Sequence, residues 1–379
     1  MPSLIVDWLF KLFKELFDRR TGEIDALHGI RAGAILAIIL LHLYVPVGLY
    51  LNVQFEAIDR IARNLTSGVD LFFVLSGFLI YSSFLKQPLT KPFLILYAKK
   101  RARRILPAYY AALIGAAIYV FYLIQAIDGS DQAAMVGKLE RSLQFAWSDL
   151  LFVSNYTDRL LEPGWSLSVE VHFYALLPLL LWLLRRFRDQ QSKLAGVWIG
   201  LSFLVTLLRF LQFENSDTYF YTHTRIDAIF AGMIVAEVYA TYRPSKFVKW
   251  LSLVLGIVLV VSAHLCTIDG WFYRTLRYNF FAAGFSLFLF ASLSSARLAL
   301  LLSNVVFRLI ARLSYTLYLW HPILLMIGIK QGRLQLDSSW VHIVAVWAGS
   351  FLFAVACSIL FYALFERPFR YRSKQAVVS

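Results

Sequence analysis

Long, unbroken runs of apolar residues recur along the whole chain, and they constrain its fold more than any other feature. Several reach the roughly 20 residues that a helix needs to cross the hydrocarbon core of a bilayer. They do not alternate as the strands of a membrane β-barrel do. Only 16% of the 379 residues are charged, whereas a soluble domain carries about 25%. The sequence therefore predicts an all-α, polytopic integral membrane protein.

About ten membrane-spanning helices are predicted from these runs. An amphipathic cytoplasmic segment over residues 1–24 would precede the transmembrane domain at 25–370, and a cytoplasmic tail would occupy 371–379. Within the first segment, Trp8, Leu12 and Phe13 share one helical side, which is typical of a helix lying in the membrane interface. The predicted spans are 31–51, 67–85, 105–127, 164–184, 194–213, 223–242, 248–266, 276–293, 309–329 and 341–365.

Lys and Arg residues are distributed unevenly among the predicted loops. If the N-terminus is cytoplasmic, 25 of the 37 fall on the cytoplasmic side and 9 on the outer side, as the positive-inside rule requires. The net charge of +14 therefore indicates topology and contact with membrane lipids, not nucleic acid as a partner. Both termini are predicted to be cytoplasmic. Cys266 and Cys357 fall inside spans without a paired motif, so no metal site is predicted.

Arg31 and His42 are ionisable residues within the first span. Eleven positions are close to three helical turns, so both side chains lie on one face, about 16 Å apart along the axis. A neutral imidazole can accept a proton near physiological pH, as a general base must. The alternative is a packing histidine, with Arg31 reaching to the interface.

A basic run, KKRARR, occupies residues 99–104 just before the third span. Guanidinium groups such as those of Arg101 and Arg104 bind phosphate oxygens bidentately, so this run suits a ligand with several phosphates. An anchor on anionic lipid headgroups is the alternative from composition alone.

Two further polar faces lie in apolar helices. Ser166, Glu170 and Tyr174 recur every four residues, and a buried carboxylate at Glu170 needs donors or a cation nearby. Ser314, Tyr318 and His321 form a second face, and Pro322, which follows His321, frees a backbone carbonyl at a kink. Each face could equally serve interhelical hydrogen bonding. No GxSxG, HExxH, Walker or GxGxxG motif is present, so direct transfer to an activated hydroxyl is simpler than a covalent serine mechanism.

Seven segments, taken in order, resemble the acyltransferase 3 family of membrane acyltransferases, which includes bacterial O-antigen and exopolysaccharide O-acetyltransferases. They run across residues 26–369 and are ALHGIRAGAILAIILLH, GVDLFFVLSGFLI, KRARRILPAYY, WSLSVEVHFYALLPLLL, RIDAIFAGMIVA, LSYTLYLWHPILL and the closing ERPFR.

The resemblance implies roles for individual residues. His42 and Arg31 match the family's essential pair, with Glu170 as a third catalytic candidate. Arg101 and Arg104 match its donor-binding motif. Further support for the site is expected from Asp70, Ser314, Tyr318 and His321.

The resemblance also implies a reaction and its participants. An acyl group, acetyl in the first instance, would pass from acyl-CoA to a hydroxyl of a cell-surface or lipid-linked glycan. Acyl-CoA would be a co-substrate, with no permanently bound cofactor, and the location would be the bacterial inner membrane. A homo-oligomer and a separate periplasmic partner that completes the transfer both stay open. Alternatives are a transporter or flippase for lipid-linked sugars and an acyltransferase for small-molecule acceptors.

Overall fold

The computed structural model describes residues 2–19, 22–51, 56–127, 132–187, 191–214, 218–267, 270–333 and 340–369. The predicted tail at 371–379 lies outside these ranges. Within them the chain is helical and contains no strand. The helices are α1 (Pro2–Phe17), α2 (Ala26–Leu51), α3 (Glu56–Asn64), α4 (Gly68–Leu85), α5 (Lys91–Ala126), α6 (Ala133–Gln144), α7 (Ala146–Leu150), α8 (Gly164–Leu183), α9 (Gln191–Gln212), α10 (Thr222–Arg225), α11 (Asp227–Thr241), α12 (Lys246–Leu265), α13 (Trp271–Arg274), α14 (Arg277–Ser294), α15 (Ala296–Leu301), α16 (Val305–Arg333) and α17 (Trp340–Phe361).

Eight helical stretches in the described residues are long and apolar enough to cross a membrane, fewer than the ten predicted. The other two predicted spans coincide with α10–α11 and α14. Helix α11 has only 15 residues, and the first turn of α14 carries Arg277 and Asn279, which lowers its mean hydropathy. Both helices bury most of their surface inside the bundle. Whether these two helices also cross the membrane stays a prediction, because the eight are identified by length and composition alone.

Helix α11 packs directly along α4 because glycines remove side chains from the contact. A Cβ atom added at Gly77 would lie 1.9 Å from the backbone oxygen of Ile229, and one at Gly232 would lie 2.0 Å from that of Val74. Small residues let helix backbones approach this closely in membrane bundles. This contact fixes the position of α4, which lines the candidate site.

The buried apolar residues form two main clusters. One gathers α4, α8, α9, α11 and α14, and the other gathers α2, α5, α16 and α17. Phe72, Tyr174 and Tyr318 are only partly buried and pack against both clusters. The boundary between the clusters is therefore lined by residues with some free surface, and the cavities described below open there.

The N-terminal helix α1 is attached to the bundle by its polar side as well as its apolar side. Leu12 and Leu16 are buried against α16 and the end of α17. Glu15, also buried, accepts hydrogen bonds from Tyr362 and Arg367, and Arg312 donates to its backbone oxygen. Trp8 and Phe13 on the same helix stay exposed. An interfacial position for α1 stays a prediction that these exposed rings favour.

Two buried ion pairs tie the helices together. Arg225 donates to Asp70 at 2.9 Å and links α10 to α4. Arg209 donates to both carboxylate oxygens of Asp227, at 3.0 and 2.7 Å, and links α9 to α11. All four side chains are at most 4% exposed. A charge buried in an apolar bundle is stable only if its partner is present.

We therefore expect Arg209→Met to destabilise the protein strongly, by about 3–5 kcal/mol, because Asp227 would remain buried without its cation. The double variant Arg209→Met with Asp227→Leu should recover much of this loss, since neither charge remains. Thermal unfolding in detergent measures both. Equal losses in the single and double variants would mean that the pair contributes through packing alone.

Candidate active site

A cavity of ≈ 100 Å³ lies between α2, α4, α5, α8 and α16. Three arginines, Arg31, Arg101 and Arg104, line it together with Glu170. We call it the arginine cavity. The arginines come from two distant segments, the start of α2 and the basic run of α5. The fold thus brings together the two cationic groups that the sequence singled out.

Glu170 is held in the arginine cavity by hydroxyl donors. Ser76 donates to its Oε1 at 2.7 Å, and Tyr174 donates to its Oε2. The guanidinium of Arg101 lies 5.9 Å from the centre of the Tyr174 ring, while its Nε is buried with no hydrogen-bond partner among the described residues. A carboxylate beside several guanidinium groups leaves the cavity with a surplus of positive charge.

A second cavity, of ≈ 160 Å³, lies next to the first. His42 and His321 line it, so we call it the histidine cavity. Glu162, Thr66 and Pro163 also contribute. The remaining surface is mainly apolar and aromatic, from Ile38, Leu41, Val69, Trp165, Tyr219, Phe220 and Tyr318.

The two imidazoles meet edge to face, with ring centres 4.6 Å apart. Nδ1 of His42 lies 2.8 Å from the backbone oxygen of Ile38, and Nδ1 of His321 lies 2.7 Å from that of Tyr318. A carbonyl oxygen only accepts, so each Nδ1 carries a proton. In a neutral imidazole the Nε2 atom then keeps its lone pair, so each ring has the tautomer that a base at Nε2 requires.

The histidine on α16 owes its orientation to the proline that follows it. Pro322 has no N–H to give to the backbone oxygen of Tyr318 four residues earlier. The Nδ1–H of His321 occupies this acceptor instead. His321 thus supplies the hydrogen bond that Pro322 cannot make, and the same bond fixes the orientation of the imidazole.

Tyr318 and Val69 line both cavities and form the wall between them. The Tyr318 hydroxyl lies 2.5 Å from Oγ of Ser166, which lines the arginine cavity. The Tyr318 ring also packs edge to face on Phe72, with centres 6.0 Å apart. One hydrogen bond and one ring therefore separate an arginine-lined space from a histidine-lined one.

The structure divides the predicted site residues between these spaces. Arg31 and His42 lie on one helix but line different cavities. Glu170 accepts hydrogen bonds from hydroxyl groups in the arginine cavity, which are the donors that its burial was expected to require. Ser314 lines the arginine cavity as well. Asp70 lines neither cavity, but it holds Arg225, whose guanidinium lies against the rings of Trp165 and Tyr219 in the wall of the histidine cavity.

Two lining residues had no signal in the sequence. Ser76 is a single hydroxyl within an apolar run, and Glu162 lies in the linker at 128–163, between the third and fourth predicted spans. The Glu162 segment is fixed by Asp149, which accepts hydrogen bonds from the backbone N–H groups of Leu160 and Leu161 at 2.7 and 3.2 Å. Burial raises the pKa of Asp149, and these two N–H groups partly offset that effect.

Comparisons with known proteins agree with these motifs. A family model described as an acyltransferase domain, that of the acyltransferase 3 family, matches residues 24–363. The O-acetyltransferase OatA of Staphylococcus aureus (strain NCTC 8325 / PS 47) is 26% identical over 398 residues, an alignment that covers 97% of this chain and 60% of OatA. A second protein of S. aureus (strain COL), provisionally named an O-acetyltransferase, is 29% identical over 80% of this chain and 51% of its own length.

The chain thus spans between half and two thirds of the length of these relatives. No solved structure matches it. The family model covers most of the chain, and five of the seven segments that suggested the resemblance contribute residues to the lining of the two cavities. The chain belongs to the acyltransferase 3 family.

Proposed function

We propose that this protein transfers an acetyl group from acetyl-CoA, bound at the arginine cavity, to a hydroxyl of a glycan that enters the histidine cavity. The observation that carries the proposal is the pair of cavities that share a wall at Tyr318 and Val69. One is rich in phosphate-binding groups and the other in neutral bases. The names of the two S. aureus relatives favour O-acetyl transfer.

The chemistry of the arginine cavity fits a coenzyme A donor. Its phosphates would meet Arg101 and Arg104, because guanidinium groups form charge-assisted hydrogen bonds to phosphate oxygens. The unpartnered Nε of Arg101 offers one such donor. Arg31, which lines the same cavity, could stabilise negative charge that develops on the thioester oxygen.

The chemistry of the histidine cavity fits an alcohol acceptor. Nε2 of His42 would take the hydroxyl proton as the acceptor oxygen attacks the thioester carbon. The carbon–sulfur bond then breaks, the acetyl ester forms, and the coenzyme A thiolate takes up a proton. His321 would receive the proton from His42 or hold the acceptor hydroxyl. Two positively charged imidazoles at this separation repel each other, so the pair would carry at most one positive charge at a time.

Transfer between the cavities requires the wall to open. The acetyl group would reach the acceptor where Tyr318 and Ser166 now meet, so their hydrogen bond would break as the thioester advances. A narrow passage of this kind favours a short acyl group. This path runs from the side of the basic run toward the side of the 128–163 linker, from the cytoplasm outward in the inner-membrane orientation that we propose.

The proposed orientation predicts different labelling of two exposed positions. In a background in which Cys266 and Cys357 are replaced by alanine, Ile95→Cys should resist an impermeant thiol reagent added to intact cells. Glu140→Cys on α6 should react, because the positive-inside rule puts it outside. Labelling after permeabilisation is the control for accessibility. The reverse labelling pattern would place the donor cavity on the outer side of the membrane and contradict the proposed orientation.

The donor assignment predicts that Arg101→Ala and Arg104→Ala raise the KM for acetyl-CoA. A lost charge-assisted contact costs about 1.5–3 kcal/mol, which corresponds to roughly a tenfold increase or more. Arg103→Ala is the matched control, since Arg103 belongs to the same basic run but is exposed and lines neither cavity. Steady-state kinetics in proteoliposomes measure all three. Equal changes in KM at the three positions would mean that the basic run only anchors the protein on anionic lipid headgroups.

The base assignment predicts that His42→Gln lowers kcat by roughly 10²–10⁴-fold while acetyl-CoA still binds. Glutamine keeps the hydrogen-bonding capacity but cannot carry the proton. His264→Gln is the control, because His264 makes the same bond to a carbonyl four residues earlier, at 2.8 Å, but lies outside both cavities. Near-normal turnover by His42→Gln would transfer the role of base to His321.

A further inference from the structure

The histidine cavity contains a carboxylate that the proposed reaction does not use. Among the described residues that line this cavity, Glu162 is the one carboxylate. Its side chain is 62% exposed, whereas His321, which lines the same cavity, is 2% exposed. One space therefore joins a buried imidazole to a carboxylate that meets solvent.

Glu162 is held in place without a short contact to a cation. The segment that carries it is fixed through Asp149, as described above. The guanidinium of Arg159 lies 3.7 Å from the Glu162 carboxylate, which is longer than a hydrogen bond. The same guanidinium lies over the Phe220 ring, 4.1 Å from its centre. The carboxylate of Glu162 can therefore exchange a proton with water.

The charged groups that face Glu162 are two cations and one carboxyl. The protein atoms packed around the Glu162 carboxyl raise its pKa, the cations of Arg159 and Lys138 oppose this rise, and Asp149 adds to it. A carboxyl with a raised pKa lies closer to an imidazole in proton affinity than an ordinary glutamate does. It is therefore better suited to accept a proton from a charged histidine.

The proposed reaction produces its two charged products on opposite sides of the wall. The acceptor hydroxyl gives its proton to Nε2 of His42 as its oxygen forms the acetyl ester. The carbon–sulfur bond breaks and leaves the coenzyme A thiolate in the arginine cavity, where it takes a proton from the cytoplasm. The first proton stays on the histidine pair and must leave before His42 can act as a base again.

Return of this proton through the wall meets a barrier that exit through the histidine cavity does not. The hydroxyls of Tyr318 and Ser166 lie 2.5 Å apart across the wall, and the proposed passage of the acetyl group breaks their hydrogen bond. His321 and Glu162 line one space of ≈ 160 Å³. A polar cavity needs only about 10–15 Å³ to hold a water molecule, so water can connect the two side chains.

We propose that Glu162 receives the reaction proton from the histidine pair, through water in the histidine cavity, and releases it on the outer side of the membrane. This inference rests on the proposed function, because it takes His42 as the base. Each acetyl transfer then takes one proton from the cytoplasm, for the thiolate, and delivers one proton outside. The protein thereby moves one positive charge outward with every acetyl group.

The test uses proteoliposomes of the full-length protein that enclose the pH-sensitive dye pyranine. They also enclose, as acceptor, envelope glycan of the producing cells from which mild base has removed the acetyl esters. Acetyl-CoA added outside does not cross the bilayer, so only molecules with the donor cavity outward react. Valinomycin, with potassium on both sides, prevents a potential from building up. Radiolabel from acetyl-CoA counts the esters, and we expect about one luminal proton per ester.

Variants of Glu162 test its part in the release. Glu162→Gln cannot take up a proton and should lower kcat by about 10²-fold. Luminal formate or azide should restore most of the rate, because these small weak bases can carry the proton instead. Glu162→Asp keeps a carboxylate and should keep most of the rate. Glu140→Gln is the matched control, since Glu140 is an exposed carboxylate of the same linker that lines neither cavity, and it should turn over normally.

The two levels of inference fail differently. Acetyl transfer without luminal acidification means that the proton returns to the thiolate, and it overturns the proposed exit. Normal kcat in Glu162→Gln overturns the role of Glu162. A loss that formate and azide do not restore also overturns it, because a purely structural role does not depend on proton carriers. These outcomes leave the transfer reaction untouched, whereas absence of transfer by the wild-type protein overturns the proposed function and the exit with it.

Discussion

The backbone oxygen of Tyr318 is the point on which the site depends. Pro322 leaves it without the N–H that a continuous helix would supply, and an unsatisfied carbonyl inside a membrane bundle costs several kcal/mol. His321 supplies the missing donor at 2.7 Å. The repair makes Nδ1 of His321 a donor and fixes the orientation of its ring, which meets that of His42 edge to face. The same residue, Tyr318, forms the wall between the two cavities through its hydroxyl and ring.

Residues on one helix could be grouped from the sequence. The spacing of Ser166, Glu170 and Tyr174 predicted a shared face, and all three line the arginine cavity. The contact of Glu170 with Ser76 could not be predicted, because periodicity describes one helix and says nothing of its neighbour. The same limit explains why Arg31 and His42 were expected to act together. Two residues about 16 Å apart along a helix axis can share one face of the helix and still line different cavities, as Arg31 and His42 do.

The way the helices pack shows a second limit of the sequence. The all-helical class was predictable from composition, because a long apolar run can satisfy its backbone inside a membrane as a helix. The contact between α4 and α11 was not predictable, because it depends on Gly77 and Gly232 meeting the opposite backbone, and nothing in either apolar run identifies its partner. Helices α11 and α14 fall short of a span by length or hydropathy, so the count of ten stays a prediction.

The division of the site also has an electrostatic reason. Guanidinium groups suit a donor with several phosphates, but a cation close to an imidazole disfavours its protonation, and in an apolar interior that influence reaches further than in water. Arg101, Arg104 and Glu170 line one cavity, and His42 and His321 line the other. Tyr318 lines both cavities and lies between them. In the proposed reaction, the wall therefore keeps the bases away from the charges that bind the donor. A general base can then take a proton from the acceptor, provided that the wall opens only as the acetyl group arrives.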